Sequence, residues 1–230
     1  MNKISIIIPI FNELKTITKL LLHLENKVFQ KEAIEIIVVD GGSTDGSPDI
    51  LKANSNVKLI QTEKGRAIQM NLGAKKATGT VLYFLHCDSF PPTNFDRIIY
   101  NTVQKGKQAG CFRMKFDYKH PVLIVSQWFT RFNHISCRGG DQSLFITKKL
   151  FEEINGFDEQ FIIYEDNEII SRLYDKKQFV VLPDYIITSA RRYRQNGVWR
   201  LQYHFSIIHL KRRLGHSTES MLEYYKKNIL

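Results

Sequence analysis

Four short apolar runs, Ile4–Ile10, Ile34–Val39, Val57–Ile60 and Val81–Leu85, recur through the first ninety residues, each rich in Val, Ile or Leu. Runs without polar alternation suit strands buried on both faces, as in a parallel sheet covered by helices. Between them the period changes. After Asn12, which predicts a helix N-cap, Leu14, Ile17, Leu20, Leu21 and Leu24 fall at helical spacing. Ser47-Pro48 ahead of Ile50 and Leu51 predicts a second helix start, and Arg66 to Thr78, closed by Gly79, a third helix. Strand and helix in alternation specify right-handed βαβ units that take ligands at the carboxyl ends of their strands. The expected class is therefore α/β, a Rossmann-like, mostly parallel sheet flanked by helices.

The second half is less regular. Cys111 to Tyr118 and Ser143–Thr147 read as strands, Lys148–Ile154 and Asp166–Lys176 as helices, and the apolar, aromatic-rich Pro121 to Phe132 as a helix or a lid. A chain of 230 residues buries roughly 70% of its extended surface, so one core needs no disulfide support. Cys87, Cys111 and Cys137 are widely spaced and odd in number, which favours a reducing compartment, with the cytoplasm as the default. The first apolar run stops at Asn12 and Glu13 without a cleavage pattern and reads as a strand rather than a leader. No stretch approaches the ~18 consecutive apolar residues of a spanning helix. With no repeat or linker, one domain is expected over 1–190, with halves at about 1–90 and 91–190, followed at 191–230 by basic amphipathic helices that are either part of the same domain or a membrane-surface appendage.

Polar residues gather where the strands end. Val39-Asp40-Gly41-Gly42-Ser43-Thr44-Asp45-Gly46 leaves a buried strand and enters a helix. Such a loop is either a turn with Asx caps or a nucleotide-recognition loop, in which Gly41 lets backbone approach the ligand and a strand-end carboxylate accepts hydrogen bonds from base or ribose. The dinucleotide and P-loop glycine patterns are absent. His86-Cys87-Asp88 follows the fourth run, and Asp88 is either a cap or the ligand of a hard cation such as magnesium or manganese that neutralises a diphosphate. Lys64 and Arg66 supply phosphate-binding charge just before the third helix. Glu165-Asp166 complements a helix dipole or provides a general base, and Asp141, after Gly139-Gly140, could act as base or position an acceptor.

Taken in order and spacing, Ile6-Ile7-Ile8-Pro9-Ile10-Phe11-Asn12-Glu13, Val38 to Gly46, Asp88 and Glu165-Asp166 resemble a family 2 glycosyltransferase with the A-type (GT-A) fold. Gly65-Arg66-Ala67-x-Gln69-Met70-Asn71, Gly140-Asp141-Gln142 and Thr188 to Tyr193 with Gly197 to Arg200 are similar to a compact bacterial subgroup labelled arsenosugar-biosynthesis-type glycosyltransferases. The resemblance covers almost the whole chain. It implies transfer of a sugar from a nucleoside-diphosphate sugar, most commonly a UDP-sugar, with inversion at the anomeric carbon. It also implies that Pro9, Phe11 and Glu13 line the nucleoside pocket, with Asp40 and Asp45 near base and ribose, and Arg66, with Met70 beside it, near the phosphates. Asp88 corresponds to the last acid of the family's D-x-D metal motif, whose first acid is replaced by His86 here, which implies weaker metal affinity or a contact of His86 with the donor instead. Asp166 is the implied base, with Glu165 as its neighbour or substitute.

The net charge of +10 points to an anionic partner without choosing it. Arg191 and Arg192 are candidates to clamp the donor diphosphate or a phosphorylated acceptor, or simply a solvated run. Val198, Leu201, Phe205 and Ile208 share a helical face, with Arg200, His204 and Lys211 on another, so 198–214 is a candidate amphipathic helix for an anionic membrane and a lipid-linked acceptor, or a helix packed on its own core. Three rivals stay open: a degenerate transferase that only binds nucleotide sugar, a sugar-phosphate nucleotidyltransferase, and a nucleic-acid binder. The second lacks its N-terminal glycine-rich loop. The third lacks every nucleic-acid signature, and strand-end acids would repel a polyanion, so no nucleic acid is expected as partner.

Overall fold

A computed structural model describes residues 3–139 and 142–229. The four apolar runs form β1 (Ile4–Ile10), β2 (Ile34–Asp40), β3 (Val57–Gln61) and β4 (Val81–Phe84), and the helical segments between them form α1 (Leu14–Lys27), α2 (Ser47–Lys52) and α3 (Arg66–Lys76). These strands pair in parallel, in the order β3-β2-β1-β4. Period-2 geometry splits β1 between two cores. Ile7 packs with Ile37, Val39 and Met70 on one face, and Ile6 and Ile8 pack with Ile17, Leu20 and Val38 on the other. Asn12 does not cap α1 as expected. It takes a left-handed φ of 55°, its side-chain oxygen accepts from Thr44 N, and the first helical amide, Leu14 N, is satisfied by Asp45 from the neighbouring loop.

Beyond β4 come β5 (Ser89–Phe90), α4 (Phe95–Gln104), β6 (Ala109–Phe116), α5 (Pro121–Phe129), β7 (Leu144–Thr147), α6 (Lys148–Glu153), α7 (Glu165–Asp175) and β8 (Phe179–Thr188). They extend the same sheet to β3-β2-β1-β4-β7-β6-β8-β5, with β7 antiparallel to β4 and to β6, and β8 parallel to β6. The sheet is thus a mostly parallel one flanked by helices, with antiparallel insertions at β7 and β5. Gly73 sets how closely α3 lies on it, since a Cβ there would stand 2.4 Å from Ile7 Cγ2. The sequence hid β8 because Pro183 and Asp184 interrupt it. The register jumps from Phe112↔Leu182 to Arg113↔Tyr185, so these two residues are bulged out of the pairing.

The chain closes with α8 (Arg191–Asn196), α9 (Val198–Arg213) and α10 (Thr218–Asn228). The face of α9 offered to a membrane by its spacing is turned inward. Leu201 and Ile208 pack with Met221 and Ile229, Phe205 packs against that cluster, and Val198 packs with Leu123 and Ala190. Protein, not lipid, covers that stripe, and the apolar side chains α9 leaves in solvent are Trp199, Tyr203 and Leu210. No helix among the described residues is long and apolar enough to cross a membrane.

Candidate active site

The carboxyl ends of β1, β2 and β4 meet the N-termini of α3 and α7, where free amides and the helix dipole favour negative charge. The β1 and β2 loops are laced together. Asn12 N donates to Ser43 Oγ at 2.8 Å, Ser43 N donates to both carboxylate oxygens of buried Asp40 at 3.1 and 3.2 Å, and Asp45 accepts from Leu14 N and Ser47 N. Burial works against the charge on Asp45, but the Ser47 hydroxyl and these amides outweigh it and hold the carboxyl below its ordinary range. Both Asx-cap and strand-end features are therefore present in one loop pair.

Beneath the loops, the Gln69 amide donates to Ile10 O at 2.8 Å and to Val39 O at 2.7 Å, tying the two strand ends to α3. Gly41 lies against this amide. A Cβ there would stand 3.2 Å from the Gln69 side chain and 3.2 Å from Lys64 Cα, so the crossing leaves room for backbone only. Phe11 is exposed, with Lys64 Nζ 3.8 Å from its ring centre. Pro9 and Met70 line a small cavity that also meets His86, Ser143 and Asp166.

Two ion pairs dominate the floor. Tyr164, left-handed at φ 73°, turns the chain into α7 and places Glu165 and Asp166 in its first turn. Glu165 Oε1 lies 2.8 Å from Arg66 Nε at the start of α3, and His86 Nε2, just past β4, lies 3.3 Å from Asp166 Oδ2. Glu165 is 1% exposed, so its carboxyl meets protein rather than solvent, with the Arg66 guanidinium as its cationic neighbour. Burial pushes its carboxyl up, against the pull of Arg66, and the Asp166 charge adds to the rise. Burial also opposes the charge on Asp166, yet His86, by charge and hydrogen bond, and then Arg66 hold it below the usual range. Two adjacent carboxyls are thus driven apart in acidity, the arrangement that separates a proton acceptor from its neighbour.

Over this floor, Arg191 at the start of α8 grips Glu13 with both nitrogens, at 3.2 and 2.7 Å. Asp88 is half-buried beside it, close enough to raise the Arg191 guanidinium further, after the dominant effect of Glu13. The structure thus brings together Pro9, Phe11, Glu13, Asp40, Gly41, Asp45, Arg66, Met70, His86, Asp88, Glu165, Asp166 and Arg191. Arg192 stands apart, since its guanidinium bonds the Tyr225 hydroxyl of α10. Asp141 lies outside the described residues. Sequence reasoning assigns no task to Gln69. Its signal is a polar side chain beside Ala67 and Met70 on a helix face that is otherwise buried. No three His, Cys, Asp or Glu side chains among the described residues gather into a metal cage. Asp88 is a single carboxylate, which suits a cation drawing its other ligands from phosphate and water rather than from protein.

The family model for "Glycosyl transferase family 2" matches residues 5–156, and that for the "N-terminal domain of galactosyltransferase" matches 119–195. A dolichyl N-acetyl-alpha-D-glucosaminyl phosphate 3-beta-D-2,3-diacetamido-2,3-dideoxy-beta-D-glucuronosyltransferase of Methanococcus voltae is 36% identical over 115 residues, covering 47% of this chain and 36% of its own length. The chain therefore spans about a third of that relative. Among solved structures, residues 1–349 of Staphylococcus aureus TarS in complex with UDP superpose with a TM-score of 0.69 at 22% identity, over 82% of this chain and 60% of that one. The mannosyltransferase PcManGT of Pyrobaculum calidifontis, in complex with GDP-Man and Mn2+, gives 0.69 at 19% identity, over 97% and 69%. At such identities the two structures speak to the fold, which is that of A-type transferases.

Proposed function

Because the chain belongs to glycosyl transferase family 2, we propose that it moves a sugar from a nucleoside-diphosphate sugar, UDP-linked by preference, to an acceptor hydroxyl with inversion. The observation that carries this reading is the pair of carboxyls at the α7 N-terminus, one ionised against His86 and one buried against Arg66. A single inverting displacement needs one base and no enzyme nucleophile. Asp166, kept ionised, takes the proton of the attacking hydroxyl. Glu165 holds Arg66 at the donor's phosphate end, and the loops of Phe11, Asp40, Gly41 and Asp45 take the nucleoside.

Asp88 would hold a divalent cation such as manganese or magnesium, whose charge would offset that of the departing diphosphate. Arg191 is the second counter-charge for that group, and its present partner Glu13 would be exchanged for phosphate oxygens on donor binding. The acceptor is a sugar or a lipid-linked glycan, with Asp141 on the acceptor side. The donor and the three free thiols suit the cytoplasm, including the inner face of its membrane.

A thermal-shift series with UDP, GDP, CDP and dTDP, each with and without manganese, tests the donor site on wild type and Asp88→Ala. One diphosphate at ~100 times its Kd should stabilise the protein by about 2.7 kcal/mol, and do so only with metal and only in wild type. No shift with any of the four would overturn the donor reading.

A further inference from the structure

The net charge of this protein is not spread over it. Residues 118–140 and 185–218 carry ten of the 33 Lys and Arg side chains and none of the 23 acids, so the remaining 23 cations are balanced and the entire +10 belongs to these two segments. Far apart in sequence, they lie side by side in the fold. His120 meets the Trp199 ring at 6.3 Å, Leu123 of α5 packs with Val198 of α9, and Arg213 at the far end of α9 donates to Ser136 at 3.4 Å.

The same surface exposes large apolar groups. Trp128, Phe129 and Phe132 form a cluster with ring centres 5.0 to 6.1 Å apart, Trp128 edge-to-face with both phenyl rings, all exposed to solvent. Ile124 and Val125 precede them on α5, and Trp199, 73% exposed, and Tyr203 stand on the outer side of α9. Both tryptophans of the chain are therefore here. Arg131 lies over the Trp128 ring at 4.7 Å, cation against aromatic face.

From this coincidence of charge and apolar surface, we propose that the outer face of α5 and α9 docks on an anionic phospholipid bilayer. Indole and phenyl groups settle at the level of lipid headgroups, and Lys and Arg beside them are drawn to anionic leaflets. Arg138 is buried, and Arg191 and Arg194 are paired with Glu13 and Asp117, but Lys119, Arg131, Arg200, Lys211, Arg212 and Arg213 have no acid partner within these segments, so a second copy of the chain is disfavoured as occupant because it would set like charge against like. A nucleic acid would satisfy the cations but leave Ile124 and Val125 against phosphate. This surface differs from the α9 stripe expected from sequence, which the protein itself covers. If sugar transfer is the activity, the face would present a lipid-linked acceptor from the plane in which it lies, but lipid docking itself does not rest on that reading.

The two tryptophans make the test direct, since intrinsic indole fluorescence reports on this face and nowhere else. The whole protein is titrated with phosphatidylcholine vesicles, with and without phosphatidylglycerol, and the same samples are floated on a density gradient. The expected result is a blue-shifted emission and flotation with the anionic vesicles only, both reversed by high salt. Trp128→Ser with Phe132→Ser, and separately Arg212→Glu with Arg213→Glu, should weaken partitioning roughly tenfold or more while leaving circular dichroism and the diphosphate thermal shift unchanged. No response to anionic vesicles, or an equal response to neutral ones, overturns the proposal. So does a blue shift produced by duplex DNA but not by vesicles, or one that grows with protein concentration alone as a dimer forms.

Discussion

Glu165 and Asp166 are adjacent in the chain, yet their surroundings pull their carboxyls in opposite directions, and this can be tested one atom at a time. Asp166→Asn should lower kcat by about 10²–10⁴-fold while the diphosphate thermal shift is kept, because the amide can still face His86 but cannot take a proton. The same variant should change acid stability. A carboxyl held below its ordinary value of 3.8 contributes stability that is complete above that pH and is lost as pH falls through the lower folded value. Urea unfolding of wild type should therefore lose more stability than Asp166→Asn as the pH is taken below 3.8. Gln69 is a structural counterpart. Gln69→Ala removes the amide that serves two buried carbonyls and should cost about 1–3 kcal/mol in urea unfolding. Of these residues, Asp88, Glu165 and Asp166 were legible as acids at strand and helix ends, and Arg66 as a cation before a helix. That His86 faces Asp166 was not legible, because nothing local to either residue encodes the fold that brings β4 to the start of α7.

At the scale of elements, α3 does two jobs with one helix. Its buried side fixes the distance to β1 through Gly73, and its first turn carries Arg66 and Gln69 into the site. Gly73→Ala should therefore overpack against Ile7 and Val39, cost about 1–3 kcal/mol in chemical denaturation, and weaken diphosphate binding although residue 73 touches no ligand. An unchanged diphosphate affinity with lowered stability would separate the two jobs. The first four strands and three helices were readable because each is a local pattern: a continuous apolar run or a 3.6-residue period. β8 was not, since its proline bulge mimics a loop, and for α9 the pattern gave the apolar stripe correctly but left membrane and protein core both open as its cover. Apolar spacing names a stripe but does not say whether water, lipid or α10 will cover it.

For the whole molecule, charge sets the behaviour. With ten cations and no acid in two adjoining segments, much of the self-repulsion is local and open to screening. Raising KCl from low to moderate ionic strength should raise Tm in a thermal scan, and Lys211→Glu should raise it at low salt while flattening the salt dependence. The strand order has a different consequence, which concerns synthesis. β4 is made long before β7, its neighbour, and β6, though made earlier than β7, is separated from β4 by it in the sheet. At ~5–20 residues per second, the translation of residues 85–143 leaves the β4 edge without its partner for about 3–12 s. During that interval a nascent chain presents a finished half-sheet with an open apolar flank, so the speed of the ribosome over this stretch, or a chaperone waiting there, should decide how much of the protein escapes aggregation.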